Sequence, residues 1–80
     1  MKKETILVTG ACGQLGTELV GELRKIYGDD QVLATDVMDP KSPSLQNAPF
    51  QKLDVLNKQA LGELVERFKP TQMYHLAAIL

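Results

Sequence analysis

Ile6-Leu7-Val8-Thr9-Gly10-Ala11-Cys12-Gly13-Gln14-Leu15-Gly16 decides how the rest of the chain is read. An apolar run stops at a glycine, two more glycines follow at intervals of three, and an amphipathic helical pattern then begins. A strand that passes through a glycine turn into a helix N-terminus gathers bare backbone N–H groups at one point. The helix dipole adds about half a positive charge there, so the device suits a phosphate. Gly10 can take the positive φ of a tight exit from a strand. Gly13 removes a Cβ where a phosphate would lie against the backbone, and Gly16 lets the first helical turn press on the strand.

Glycines punctuate many ordinary turns, so the pattern requires an acidic residue about 20 positions on, at the end of the next strand. Asp36 stands 20 residues after Gly16 and closes the run Gln31-Val32-Leu33-Ala34-Thr35-Asp36. This spacing predicts a dinucleotide site in which Asp36 accepts hydrogen bonds from both hydroxyls of the adenosine ribose. A carboxylate in that place repels the 2′-phosphate of NADP. No Arg or Lys lies within the four residues after Asp36, and Lys41 is five away behind Pro40, which favours NAD. The competing explanation is a solvated loop carboxylate beside a tight strand–helix turn.

Composition narrows the classes. Eighty residues allow one small and marginal domain at most, and 44% hydrophobic content is that of an ordinary globular chain; residues 1–80 are read as the N-terminal part of a domain. Nine Lys and Arg against ten Asp and Glu, for a net charge of −1, give no basic stripe and no support for nucleic-acid binding. No apolar stretch approaches a membrane span. The run after the charged Met1-Lys2-Lys3-Glu4 is too short for a signal-peptide core. The single Cys12 cannot pair within the chain, which suits a reducing cytoplasm. The closing run Tyr74-His75-Leu76-Ala77-Ala78-Ile79-Leu80 is apolar with no turn or cap, so the chain is expected to be the front part of a longer protein.

Strand one is expected over Thr5 to Thr9, apolar on successive residues as for a strand buried on both faces. Helix one is expected from Gln14 to Tyr27, with Leu15, Leu19, Leu23 and Ile26 near its inner face and Val20 and Tyr27 beside it. Arg24 and Lys25 in its last turn complement the dipole, Gly28 ends it, and Asp29 and Asp30 turn the chain into strand two, Gln31 to Thr35. Pro40, Pro43 and Pro49 make the next stretch a loop with room for one helical turn. Strand three follows at Phe50 to Leu53. Asn57 caps helix two, Lys58 to Phe68, whose Leu61, Leu64, Val65 and Phe68 recur at helical spacing; Pro70 stops it before strand four, Gln72 to Leu76. No metal-ligand cluster is visible.

This order, β-α-β-loop-β-α-β with buried strands, predicts an α/β Rossmann-type parallel sheet of strand order 3-2-1-4, the front part of a doubly wound domain. The helices cover opposite faces. The switch point falls between strands one and four, beside Gly10 and His75, and ligands bind there at the carboxyl ends of strands. The glycine loop with Gln14 and Leu15, then Asp36, Asp54-Val55 and Leu76-Ala77-Ala78 all reach that rim. Asp54 can accept from the adenine amino group while Val55 packs on the ring; alternatively Asp54 only starts helix two. Ala77 and Ala78 are small either because a nicotinamide ribose passes them or because helix and strand pack closely there. Cys12 lies at a helix N-terminus, which favours a thiolate, yet reads as a spacer rather than a nucleophile. His75 reads as a buried, hydrogen-bonded strand residue rather than a catalytic base.

Thr9-Gly10-x-x-Gly13-x-x-Gly16, Asp36, Asp54-Val55 and His75-Leu76-Ala77-Ala78 together resemble the extended short-chain dehydrogenase/reductases, the NAD-dependent epimerase/dehydratase group. Within it, Gly10-Ala11-Cys12-Gly13-Gln14-Leu15-Gly16, Glu22-Leu23-Arg24-Lys25-Ile26-Tyr27-Gly28, Val32-Leu33-Ala34-Thr35-Asp36 and Tyr74 to Leu80 look like the subgroup of short-chain L-threonine 3-dehydrogenases. Nucleotide-sugar epimerases usually carry an aromatic residue at the place of Gln14 and Ser-His at Thr17-Glu18. The resemblance implies NAD as cofactor, a small-molecule substrate, oxidation of L-threonine to 2-amino-3-oxobutyrate, and a homodimer when intact. The group's catalytic Tyr-x-x-x-Lys is absent: Gln31 and Ala78 stand four residues after Tyr27 and Tyr74. No catalytic residue is therefore assigned, and these 80 residues are expected to be inactive by themselves and to leave strand four as an open edge prone to association. A nucleotide-sugar epimerase/dehydratase and a non-catalytic NAD-binding module remain the alternatives.

Overall fold

The computed structural model describes residues 4–40, 45 and 49–76. Along the chain run β1 (Ile6–Thr9), α1 (Gln14–Tyr27), a 3-10 turn (Asp29–Gln31), β2 (Val32–Asp36), β3 (Phe50–Lys52), α2 (Lys58–Phe68) and β4 (Gln72–His75). The strands form a parallel sheet in the order β3-β2-β1-β4. Ile6 lies between Val32 and Gln72, and Thr9 between Thr35 and His75, so the carboxyl ends of the strands share one rim.

Every residue of β1 is buried because each sheet face carries its own helix. Ile6, Val8, Val32 and Ala34 pack with Val20 and Leu23 of α1 and with Leu45. Leu7 and Leu33 point the other way, onto Leu53 and onto Leu64 of α2. β3 and β4 are the outer strands and are correspondingly half exposed. Both are less buried than the strand pattern suggested, since among the described residues each has a neighbour on only one side, the open edge anticipated for β4.

The inner face of α1 is rotated from the face that its leucines suggested. Gly16, Val20, Leu23 and Arg24 are buried, whereas Leu15 and Ile26 are 77% and 69% exposed. The helix touches the sheet through Gly16. A Cβ there would lie 2.5 Å from the Gly10 carbonyl oxygen and 2.8 Å from Ala11 Cα. Turning Gly16 inward to make this contact turns Leu15 out.

Arg24, in the last turn as expected, is also buried, and its Nη2 donates to the carbonyls of Val32 (3.0 Å) and Pro49 (2.6 Å). Burial lowers the pKa of its guanidinium and the nearby Asp29 opposes that shift. Asn57 caps α2 as anticipated, its side chain accepting from the Ala60 N–H at 3.1 Å. Among the described residues no helix is long and apolar enough to cross a membrane, and no three His, Cys, Asp or Glu side chains group as a metal site. Most of the proline-containing stretch, with its expected helical turn, lies outside the described residues; Leu45 within it is buried.

Candidate functional site

β1 leaves the sheet at Gly10, whose φ of 74° belongs to the left-handed region that glycine tolerates. The loop then folds over the end of β2: the Ala11 N–H donates to the Thr35 carbonyl at 3.0 Å, and the Cys12 N–H donates to Asp36 Oδ2 at 2.9 Å. The other carboxylate oxygen, Oδ1, accepts from the Met38 N–H at 3.2 Å. Each carboxylate oxygen has more than one acceptor direction, so Asp36 is fastened to the glycine loop with capacity left for further donors.

Gly13 is the N-cap residue of α1, and this helix start has no side-chain cap and no acidic residue in its first turn. A helix that begins this way leaves N–H groups open to an external acceptor. α2, capped by Asn57, shows the contrast within one chain. Gly13 has an ordinary φ of −70°. A Cβ on it would come no nearer than 3.9 Å to its closest neighbour, the Gly10 carbonyl. Packing therefore demands a glycine at 16 but not at 13. What a Cβ at 13 would fill is open space beside the amides, the condition that a bound pyrophosphate requires.

A cleft of about 450 Å³ opens at this point. Gly10, Gly13, Asp36, Asp54, Val55 and Leu76, drawn from four separate stretches, line it. Gln14 and Leu15 stand exposed on the first turn of α1, outside that lining. Ala77 and Ala78 lie outside the described residues. Val37, Met38, Leu53 and Leu56 also form the wall and were not anticipated. Their signal is visible in hindsight: Val37, Met38 and Leu56 are exposed apolar side chains within two residues of Asp36 or Asp54.

Asp54 belongs both to the turn before α2 and to the cleft wall. Its Oδ1 accepts from the Leu56 N–H at 2.9 Å, shaping the turn into α2, while the residue also lines the cleft. At the switch point the Thr9 hydroxyl and His75 Nδ1 share a hydrogen bond of 2.8 Å, and the Leu76 N–H donates to the Thr9 carbonyl at 3.0 Å. His75 is hydrogen-bonded as expected but exposed rather than buried, because β4 is an outer strand. Cys12 does not gain thiolate character from its helix end. Burial first, then the charge and hydrogen bond of Asp36 and the charge of Asp39, push its pKa above the ordinary 9.0. Its thiol donates to the Met38 carbonyl at 3.6 Å.

The model of the NAD dependent epimerase/dehydratase family matches residues 6–80. An uncharacterized epimerase/dehydratase of Staphylococcus saprophyticus is 56% identical over 81 residues, which cover 100% of this chain and 25% of that protein. The structure of L-threonine dehydrogenase from Clostridium difficile superposes with a TM-score of 0.89 at 33% identity, covering 100% of this chain and 25% of that one. L-threonine 3-dehydrogenase from Trypanosoma brucei gives a TM-score of 0.86 at 47% identity, with 94% of this chain and 24% of that one covered. The chain thus spans about a quarter of the length of these proteins.

Proposed function

The chain belongs to the NAD dependent epimerase/dehydratase family, and from that premise we propose that it forms the adenosine and pyrophosphate side of an NAD site in an L-threonine 3-dehydrogenase. One observation carries the cofactor assignment. The Asp36 carboxylate is bonded to the Cys12 amide at the mouth of a helix that no side chain caps. Anion-binding amides and a diol-binding carboxylate thereby stand side by side.

In this reading Gly10 and Gly13, with the backbone at Gln14 and Leu15, receive the pyrophosphate. Asp36 accepts from both ribose hydroxyls, and Asp54 and Val55 meet the adenine. Leu76, Ala77 and Ala78 lie along the path to the nicotinamide ribose. NAD supplies a hydride acceptor for the carbon that bears the threonine hydroxyl. The likeness to two L-threonine dehydrogenase structures supports the substrate. The name of the Staphylococcus relative favours a second reading, a nucleotide-sugar epimerase/dehydratase. A homodimer acting in the cytoplasm completes the proposal.

Substrate is tested by following NADH absorbance with L-threonine and NAD, beside an assay for interconversion of UDP-glucose and UDP-galactose. Epimerisation without threonine oxidation selects the second reading, and NAD binding with neither activity selects a non-catalytic module. Cofactor choice is tested by titrating NAD and NADP against the protein and its Asp36→Ala variant. A carboxylate facing a 2′-phosphate instead of two hydroxyls loses charge-assisted hydrogen bonds and meets like charge. Discrimination of about 2–4 kcal/mol is expected, roughly 30- to 1000-fold in binding. Asp36→Ala should weaken NAD and narrow the gap. Equal binding of both cofactors by the unaltered protein, or an unchanged ratio in the variant, would overturn the role of Asp36.

A further inference from the structure

No lysine or arginine closely follows Asp36 in the sequence, but the sheet brings one beside it. Lys52 of β3 is the register partner of Asp36 in β2. Paired residues of adjacent strands project their side chains to the same face of a sheet. The two backbones are joined just beyond, where the Leu53 N–H donates to the Asp36 carbonyl at 2.9 Å. A shallow hollow of about 320 Å³ next to the cleft is lined by Lys52 and shares Val37, Leu53 and Asp54 with it. Among the described residues that line the two hollows, Lys52 alone carries a positive charge.

That charge is already engaged. Lys52 Nζ lies 3.4 Å from Asp39 Oδ1, three residues past the ribose carboxylate, with the two side chains 60% and 82% exposed. We propose that Asp39 is a second determinant of cofactor choice, which acts by holding Lys52 so that it cannot serve a 2′-phosphate. The inference rests on the assignment of Asp36 to the adenosine ribose. A phosphate added at the 2′ position of that ribose carries close to two negative charges. It would meet the carboxylate of Asp36 and, beside it, a lysine whose charge Asp39 already answers. An exposed ion pair contributes little to stability, so the fold offers no strong reason for Asp39 to be acidic. Its charge matters chiefly through Lys52, which it keeps turned away from an anion that approaches from solvent. Lysine is a flexible point charge that swings to a phosphate once its partner is gone.

Asp39→Asn keeps the side-chain size and removes the charge. The probes are adenosine 5′-monophosphate and adenosine 2′,5′-bisphosphate, which differ only in the 2′-phosphate and need none of the nicotinamide side of the site. Their dissociation constants are measured calorimetrically on the unaltered protein, Asp39→Asn, Lys52→Gln and the double variant. The preference for the monophosphate should narrow about three- to ten-fold in Asp39→Asn, and the gain should vanish when Lys52→Gln is added. It should also shrink in 0.5 M salt, since both groups are exposed, with a Debye length then near roughly 4 Å. An unchanged ratio in Asp39→Asn, or a gain that survives Lys52→Gln, overturns the proposal while leaving Asp36 in place. If the unaltered protein shows no preference for the monophosphate, or binds neither probe, the ribose assignment itself fails and takes this inference with it.

Discussion

Two glycines three residues apart should respond to the same substitution differently, one chiefly in stability and the other chiefly in binding. In Gly16→Ala the new methyl would sit 2.5 Å from the Gly10 oxygen, 2.8 Å from Ala11 Cα and 3.0 Å from the Ala11 carbonyl carbon. All three are backbone atoms, so no side chain can swing aside, and helix and loop must part by roughly 0.5–1 Å to restore ordinary contact. Such overpacking costs about 1–3 kcal/mol. Replacing glycine by alanine within a helix returns at most about 1 kcal/mol. The net expectation is a loss of roughly 1–2 kcal/mol, read in urea as a lower midpoint at unchanged slope. The displaced loop also carries Gly10 and the Cys12 amide that holds Asp36, so NAD affinity should fall with stability. In Gly13→Ala the methyl meets nothing closer than 3.9 Å and the backbone is in an ordinary conformation, so the urea midpoint should fall by no more than the cost of alanine at an N-cap, about 1 kcal/mol or less. NAD affinity should fall by at least about ten-fold, which is about 1.4 kcal/mol of binding. A Gly13→Ala protein that binds NAD as well as its parent would show that no pyrophosphate lies against residue 13. A Gly16→Ala protein of undiminished stability would refute the close approach of α1 to its loop.

Arg24→Met keeps much of the buried stem but removes the guanidinium that donates to the Val32 and Pro49 carbonyls, of which Pro49 keeps the Ala34 N–H. A cost of about 2–4 kcal/mol in urea unfolding is expected, and a change under 1 kcal/mol would remove Arg24 from the core. Asn57→Ala should cost about 0.5–2 kcal/mol by the same assay, since the Ala60 amide loses its acceptor; no loss would mean that the cap is idle. Because the folded pKa of Cys12 is raised, the fold prefers the neutral thiol. That contribution is present below the ordinary value of 9.0 and is lost as pH rises through the raised one. Iodoacetamide should therefore label Cys12 more slowly at pH 8 than it labels free cysteine, with Asp36→Asn speeding the reaction; labelling faster than free cysteine contradicts the geometry.

What the sequence made legible is what short-range chemistry controls. The bounds of α2 follow from Asn57 at its start and Pro70 just after its end, and those of α1 from the glycine loop and Gly28. The strand order follows from handedness once two helices and four strands are placed. The place of Asp36 on the cleft is legible because it follows from a spacing. Four features escaped. Hydrophobic periodicity cannot see that a glycine is the contact surface, so Leu15 and Ile26 were placed inward when Gly16 is what touches the loop. It also cannot see that a cation in a last turn, Arg24, has two carbonyls within reach across the fold. His75 alternates outward because β4 lies at the edge of the described sheet, a fact of topology rather than of residue type. Lys52 reaches the neighbourhood of Asp36 through strand register, which no local pattern records.

The guanidinium of Arg24 has a consequence for how the sheet opens. β3 is only three residues long and outermost, the kind of strand that unzips by itself ahead of global unfolding. Its first ladder bond, from the Ala34 N–H to the Pro49 carbonyl at 3.2 Å, ends on the same oxygen that Arg24 holds. Peeling β3 away from that end must also strip a buried cation of an acceptor. Hydrogen exchange should accordingly find the Ala34 and Leu53 amides protected much as those of β1 are, and Arg24→Met should drop both to the level of a fraying edge. The Leu53 amide closes the far end of the same ladder on the carbonyl of Asp36. A residue on the last turn of α1 should thus set how often β3, which leads into the Leu53 and Asp54 wall of the cleft, comes away from β2.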